Sequence, residues 1–406
     1  MKGLNIYWDG ELVGKLYQRE DGLLKFQYDE TWLSNPDAIA LSRCLPLQQK
    51  VFPYNKTRIF FSGLLPEAGP RSKIASILGL SVENDFGLLG ELGGDCAGAL
   101  TITPETQESP SITKISYRGL SDTELSNLVT QLPSRPLLAD EEGVRLSLAG
   151  AQDKLPVAYQ NGSISLPISN SPSTHILKPE PQRFPGLAFN EAFCMRLAKS
   201  VGLNVPSVET VKIGETDCLL IERYDRRQDS SGRTERIHQE DFCQALGFPP
   251  EKKYQKENGP TLSNCIKLIR EWSTIPVLDI SSFIDGVIFN SLIGNADAHG
   301  KNFSFLYQGS SRRLAPFYDL VCTLAWPEIT KNLAMRIGSA QMVTEVTLSH
   351  FQQLAEREKL GSTFMKERVQ RMCNRVTQAL SASRLEEAVE LKVSEIIQGR
   401  MKTLQI

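Results

Sequence analysis

The chain is expected to fold as an α+β protein of two lobes, a β-rich lobe followed by an all-α C-terminal lobe, with a small β domain added at the N-terminus. Three observations predict it. Apolar and polar residues alternate through the opening segment LNIYWDGELVGKLYQREDGLLKFQY, short strand-like runs recur between about 144 and 237, and beyond 238 the apolar period lengthens to that of helices. With 406 residues, 41% of them hydrophobic and 23% charged, the chain is long enough for two or three domains with buried cores.

Taken in order, Asp9-Gly10 and Asp21-Gly22 supply hairpin turn chemistry, so a small antiparallel sheet opens the protein. A helix follows around RSKIASILGL, and the glycine pairs of FGLLGELGGDCAGALTI predict a compact turn back into a strand. Residues 104–140 are rich in Pro, Ser, Thr and acidic residues, a linker-like composition around one short helix, LSDTELSNLVTQL. The expected units are therefore an N-terminal β-rich unit over 1–105, a linker with a short helix over 106–143, a β-rich lobe over 144–237 and a helical lobe over 238–406. In the third unit VRLSLAG, KLPVAYQ, NGSISLPI, THILKPE, VETVKI and CLLIERYDR read as strands. One helix interrupts them, NEAFCMRLAKSVGL, with Phe193, Leu197 and Val201 on its apolar face and Gly202 as its stop signal. The last unit reads as QEDFCQALG, TLSNCIKLIREWS, SSFIDGVIFNSLIGN and a long helical tail from 349, opened by Ser349 and Gln352 in capping-box spacing.

Composition narrows the function classes. A net charge of −2 argues against a surface dominated by a phosphate-binding field, although a local basic patch and direct DNA binding stay open. No stretch approaches the roughly 18 apolar residues of a membrane span and the N-terminus lacks an apolar signal core, so no membrane partner is expected and the cytoplasm is the expected location. Eight scattered cysteines without a C-x-x-C pair, and four dispersed histidines, indicate neither a zinc site nor a disulfide framework.

The chemistry-bearing segment is NADAHGKN, residues 295–302, which sets Asp297 five positions ahead of Asn302, with Asp319 following in FYDL. In protein kinases the same order supplies a catalytic aspartate, an asparagine that binds magnesium and a later aspartate that holds the metal against the phosphates. Oxygen ligands suit magnesium, a hard cation that shares few carboxylates with substrate phosphates. Solvated polar loop residues are the alternative. If the helical lobe supplies base and metal ligands, the β lobe should supply a phosphate-covering loop and a strand lysine. SLAGAQDK, residues 147–154, presents small residues whose amides can approach phosphate, unless it is an ordinary β-turn. Lys178 ends THILK on the face of Ile176, and Glu191 at the start of the next helix is its natural partner; a surface lysine and a dipole-favoured glutamate would look the same. CLLIERYDRR has the form of a strand leaving through a hinge. His238 and His175 read as structural, whereas His299, inside the motif, is a candidate for positioning phosphate.

Together SLAGAQDK, THILKPE, NEAFCMRLAKSVGLNVP, ERYDRR, HQEDFCQALG, GVIFNSLIGNADAHGKNFS and LAPFYDL resemble the HipA family, the serine/threonine kinase toxins of bacterial toxin–antitoxin modules. FSGLLPEAGPR and FGLLGELGGDCAGAL extend the likeness over nearly all of 1–330. The resemblance implies a bilobal protein-kinase-like, HipA-like fold, ATP and magnesium (Mg2+) as cofactors, and Asp297 as the catalytic residue. Asn302 and Asp319 would hold the metal and Lys178 a phosphate. Ala149, Gly150, Ala151, Gln152, Asp153 and Lys154 would cover the triphosphate. Glu222, Arg223 and Tyr224 would form the adenine hinge, and His299, Gly300, Lys301, Asn302 and Tyr318 would line the nucleotide. Ser147 would be a regulatory serine whose phosphorylation pulls the loop out and silences the enzyme. The implied partners are a helix-turn-helix antitoxin (HipB-like), operator DNA reached through it, and a protein substrate such as an aminoacyl-tRNA synthetase. Two other functions compete: a lipid or small-molecule kinase of related fold, and a non-catalytic pseudokinase corepressor.

Overall fold

The computed structural model describes residues 2–110 and 115–404. Asp9 and Gly10, both at positive φ (46° and 82°), turn β1 (Lys2–Trp8) into β2 (Glu11–Gln18), as the twist of a two-residue hairpin requires. After Gly22 come β3 (Leu24–Tyr28), α1 (Glu30–Ser34), α2 (Tyr54–Ser62), α3 (Ala68–Ile77), α4 (Asp85–Leu92) and β4 (Leu100–Pro104). The sheet runs in the order β3-β2-β1-β4 and buries Ile6, Leu16, Phe26 and Ile102 against Phe60, Phe61 and Leu89. Of these helices only α3 is foreshadowed in the sequence. The two glycines of α4 weaken its helical signal, and the Asn84 side chain compensates by accepting from the Gly87 amide at 3.0 Å.

Residues 106–143 are not simply a linker. Although 111–114 of that segment lie outside the described residues, β5 (Ser116–Gly119) forms the edge of the central sheet and α5 (Asp122–Gln131) packs on it, burying Leu128, Val129 and Leu132. Ser121 and Glu124 close a capping box at the start of α5. The sheet continues with β6 (Leu155–Gln160), β7 (Ser163–Ile168) and β8 (His175–Pro179), then, after α6 (Leu187–Ser200), with β9 (Val208–Ile213) and β10 (Thr216–Glu222). Its order is β5-β7-β6-β8-β10-β9. VRLSLAG, expected as a strand, is extended loop instead; Leu146 and Gly150 make only isolated bridges, to Asp95 and Pro66 of the N-terminal unit.

A hairpin of β11 (Arg226–Gln228) and β12 (Thr234–Arg236) leads into the helical lobe, which is not purely α. β13 (Gln239–Asp241) precedes α7 (Phe242–Leu246), α8 (Leu262–Trp272) and α9 (Pro276–Leu292), and pairs with β14 (Ser304–Gln308), itself paired with β15 (Ser311–Leu314). β16 (Asn332–Ile337) and β17 (Ala340–Met342) form a further hairpin. The tail is three helices, α10 (Leu348–Glu358), α11 (Ser362–Ala382) and α12 (Ala388–Leu404). Thr347 caps α10 in a box with His350, so the expected Ser349 and Gln352 pair lies two residues too far in. Around α9 the core is aromatic, with Phe242, Phe283, Phe289, Phe303 and Phe305 fully or almost fully buried.

Candidate active site

A cavity of about 960 Å3 opens between the central sheet and the helical lobe, at the upper end of the roughly 300–1,000 Å3 of small-molecule sites. All candidate residues except Ser147 and Gly300 line it. Ser147 is fully buried behind the loop. Gly300 is a correction: a Cβ there would come within 2.8 Å of Pro260 and 2.9 Å of Cys243, so this glycine serves close packing and does not face a nucleotide.

The end of α9 fixes Asp297. Gly294, at φ 72°, reverses the chain; Asn295 Oδ1 then accepts the Asp297 amide at 2.9 Å, while Asn295 Nδ2 donates to Asn290 Oδ1 inside α9 at 2.7 Å. The next amide, Ala296, donates to Thr323 Oγ1 at 2.9 Å. Solvent reaches the Asp297 carboxylate, and the Tyr254 hydroxyl donates to its Oδ1 at 2.9 Å. Burial in the cleft raises the carboxyl pKa, and the Tyr254 hydrogen bond and Lys253 only partly oppose it. Asn302 closes the same loop, its Oδ1 accepting the His299 amide at 3.0 Å and its Nδ2 standing 3.3 Å from Asp319 Oδ2.

Lys178 reaches the cleft from β8. Its Nζ lies 2.8 Å from Glu191 on α6 and 2.6 Å from Asp319. Burial alone would lower its pKa, but the two carboxylates outweigh that and keep it charged. Burial likewise opposes ionisation of Asp319, and Lys178 with Lys154 holds it well below the usual carboxylate range. Asp319 sits at φ 53°, a left-handed backbone rare for a residue with a Cβ. Such strain persists only where the surroundings enforce it.

The loop of residues 149–154 curls over these charges, with Lys154 Nζ donating to Ala149 C=O at 2.7 Å. Burial, with Lys178 nearby, lowers the Lys154 pKa to about 8. In the expected hinge the Glu222 and Arg223 amides are already spent on Ser207 and Thr174 carbonyls. The Arg223 guanidinium is bound to Asp95 and Asp225 and so is committed to structure, while the residue lines the cavity. Tyr224 and Tyr318 stack at 5.7 Å between centroids. His299 is buried, its Nδ1 lacks a hydrogen-bond partner among the described residues, and burial with Lys253 beside it lowers its pKa to about 3. It can therefore position a ligand by hydrogen bonding but not by charge. Lys301 Nζ is held by Asp241 at 3.0 Å and Glu67 at 3.4 Å, so its ammonium is already neutralised.

The Asp319 carboxylate oxygens suit magnesium; Asn302 lies beside them with Nδ2 toward Asp319 and Oδ1 on the His299 amide, so its oxygen would join a metal there only with the amide turned over. Among the described residues no three His, Cys, Asp or Glu side chains converge as a metal cage. Tyr254, Lys253, Glu67 and Asp241 bear on the site without having been singled out from the sequence. Tyr254 and Lys253 lie in the aperiodic polar stretch EKKYQKENGP, where no pattern marks them.

The sequence profile of the HipA-like C-terminal domain matches residues 146–382, and that of the HipA N-terminal domain matches 4–103. A Sinorhizobium fredii protein named "Putative kinase Y4mE" is 42% identical, covering 99% of this chain and 98% of the relative. The serine/threonine-protein kinase toxin HipA of Shewanella oneidensis is 34% identical over 70% of this chain and 67% of its own length. A solved complex of Shewanella oneidensis HipA with HipB and operator DNA superposes with a TM-score of 0.87 at 27% identity, covering 99% of this chain and 97% of that one.

Proposed function

Because the chain belongs to the HipA family of serine/threonine kinases, we propose that it transfers the γ-phosphoryl group of ATP to a serine or threonine hydroxyl of a protein and thereby arrests growth as a toxin. What supports this most is the meeting of Lys178 with both Glu191 and Asp319 in the cleft that holds Asp297. One buried ammonium between a helix carboxylate and a metal-site carboxylate is what a phosphate-binding lysine needs to stay charged and oriented.

Asp297 orients the acceptor hydroxyl and takes its proton; a carboxyl raised by burial is the stronger base for it. Lys178 pairs with the α- or β-phosphate, and the loop of residues 149–154 covers the triphosphate with backbone amides and Lys154. Asn302 and Asp319 would hold magnesium, which would supply charge neutralisation at the phosphate oxygens. Tyr224 and Tyr318 flank the adenine side. Ser147, buried with its Oγ donating to Leu64 C=O at 2.8 Å, has no room for a phosphoryl group where it stands. Its phosphorylation would therefore expel the loop and silence the enzyme. Since the Shewanella HipA is solved with HipB and operator DNA, a HipB-like antitoxin and operator DNA are the partners we assign here, with an aminoacyl-tRNA synthetase as the protein acceptor and a cytoplasmic location. No helix of the described residues is long and apolar enough to cross a membrane.

Purified protein incubated with γ-labelled ATP, magnesium and cell extract should label a protein band. Asp297→Asn should abolish that label, by on the order of a thousandfold or more, while leaving nucleotide affinity within about threefold. Label confined to lipid or metabolite fractions, or undiminished transfer by Asp297→Asn, would overturn the assignment. Ser147→Ala should keep transferring phosphate after prolonged exposure to ATP, when the wild-type has stopped.

A further inference from the structure

The loop over the cleft is gripped from the N-terminal unit by residues 63–67, which join α2 to α3. Leu64 C=O receives the Ser147 hydroxyl at 2.8 Å, and the Glu67 amide donates to Gly150 C=O at 3.1 Å, beside a bridge between Pro66 and Gly150. The Glu67 carboxylate points to the other lobe. Lys253 Nζ lies 2.7 Å from one of its oxygens and Lys301 Nζ 3.4 Å from the other, and Lys301 also donates to Gly63 C=O at 3.2 Å. The residue after Lys253 is Tyr254, which hydrogen-bonds Asp297. One residue thus ties three pieces together: the loop through its backbone, and the loops bearing Asp297 and Tyr254 through its side chain.

An incidental surface ion pair would be exposed and screened. Here the side chains of Glu67, Lys253 and Lys301 are only 13%, 16% and 5% exposed. Ala68, next in sequence, sits at φ 47°, a strained conformation that a firmly anchored segment can hold. We propose that Glu67 is a positioning residue, the latch by which the N-terminal unit keeps the phosphate loop closed over the cleft, and that Ser147 becomes accessible only when this latch opens. The catalytic half of this proposal rests on the assignment of residues 149–154 as the phosphate loop; the mechanical half does not.

Hydrogen exchange of the full-length protein without nucleotide tests the mechanical half. In Glu67→Gln, peptides spanning 146–155 should exchange about tenfold faster than wild-type while those of the central sheet are unchanged. Lys253→Met, which cuts the latch from its far end, should show the same local change, and Glu67→Asp should restore most of the protection. Exchange of 146–155 that stays at the wild-type rate in both Glu67→Gln and Lys253→Met overturns the latch. In ATP-dependent transfer, Glu67→Gln should raise KM for ATP at least about fivefold with kcat within about twofold; a fall in kcat at constant KM overturns its positioning role. Were wild-type protein to move no phosphate from ATP, the kinase assignment would fail while the exchange data still decided the latch.

Discussion

Asp297 is held between two opposing influences: the cleft raises its carboxyl pKa, and the Tyr254 hydroxyl, by donating to Oδ1, favours the ionised form. A base must be deprotonated to act, so kcat should fall as pH drops through this raised pKa. Tyr254→Phe removes the donor, and the acid limb of kcat should move up by as much as about one pH unit; an unmoved limb would mean that Tyr254 does not act on this carboxylate. Lys178 gives a stability prediction. Lys178→Met leaves Glu191 buried without its cation and should cost about 3–5 kcal/mol in urea unfolding, and adding Glu191→Gln should recover part of that stability but none of the transfer. Lys178 and Glu191 were legible in the sequence because a strand and the helix that follows it place each by short-range rules, although α6 begins at Leu187 and Glu191 stands in its second turn. Tyr254 was not, because its partner is 43 positions away and its own segment has no period to place it.

Among the elements, α9 delivers the catalytic loop, and its fit against the chain leading to Asp319 depends on one glycine. A Cβ at Gly286 would run into the Phe317 ring, two residues ahead of Asp319. Gly286→Ala should therefore push the FYDL segment outward, costing about 1–3 kcal/mol of stability by overpacking and weakening magnesium-dependent transfer more than nucleotide binding. Normal transfer in a destabilised variant would show that the Asp319 loop tolerates the shift. α8 is readable from periodicity because it buries one face, with Leu262, Cys265, Ile266 and Ile269, whereas β6, β10 and the second half of α9 are buried at consecutive positions and are readable as apolar runs. Within residues 106–143 the helix LSDTELSNLVTQL is legible and forms α5, but the edge strand β5 is not. A four-residue edge strand has too few positions to show alternation, and the Pro- and Ser-rich run before it resembles a spacer, yet α5 buries Leu128 and Val129 in the core of the central sheet.

At the scale of the whole molecule, buried polar groups join the N-terminal unit to the two lobes, and this dependence is invisible to local pattern because each junction spans a hundred residues or more. Asp95 meets Arg223, Arg226 and Arg236, and His238 and Glu240 meet the unit at Leu41, Ser42 and Arg43. The second junction is titratable with opposite signs. Burial lowers the His238 pKa to about 4, the Leu41 carbonyl and Asp225 opposing it only in part. Its stabilising effect is thus complete above the unfolded value of about 6.5 and is lost as pH falls toward 4. Burial raises Glu240 to about 7 against the hydrogen bonds from Ser42, Tyr307 and the Arg43 amide. Its contribution is complete below the unfolded value and is lost as pH rises through 7. In wild-type protein the two slopes oppose each other across mildly acidic pH. His238→Phe keeps a ring between Trp8, Phe60 and Tyr307 but removes one slope, at the expense of leaving the Leu41 carbonyl unpaired. Relative to wild-type, its unfolding free energy should therefore improve by about 2 kcal/mol between roughly pH 7 and pH 5, at about 1.4 kcal/mol per unit below 6.5. Urea titrations at the two pH values measure this directly, and a gap between variant and wild-type that does not change with pH would place the acid sensitivity of the molecule elsewhere than at this junction.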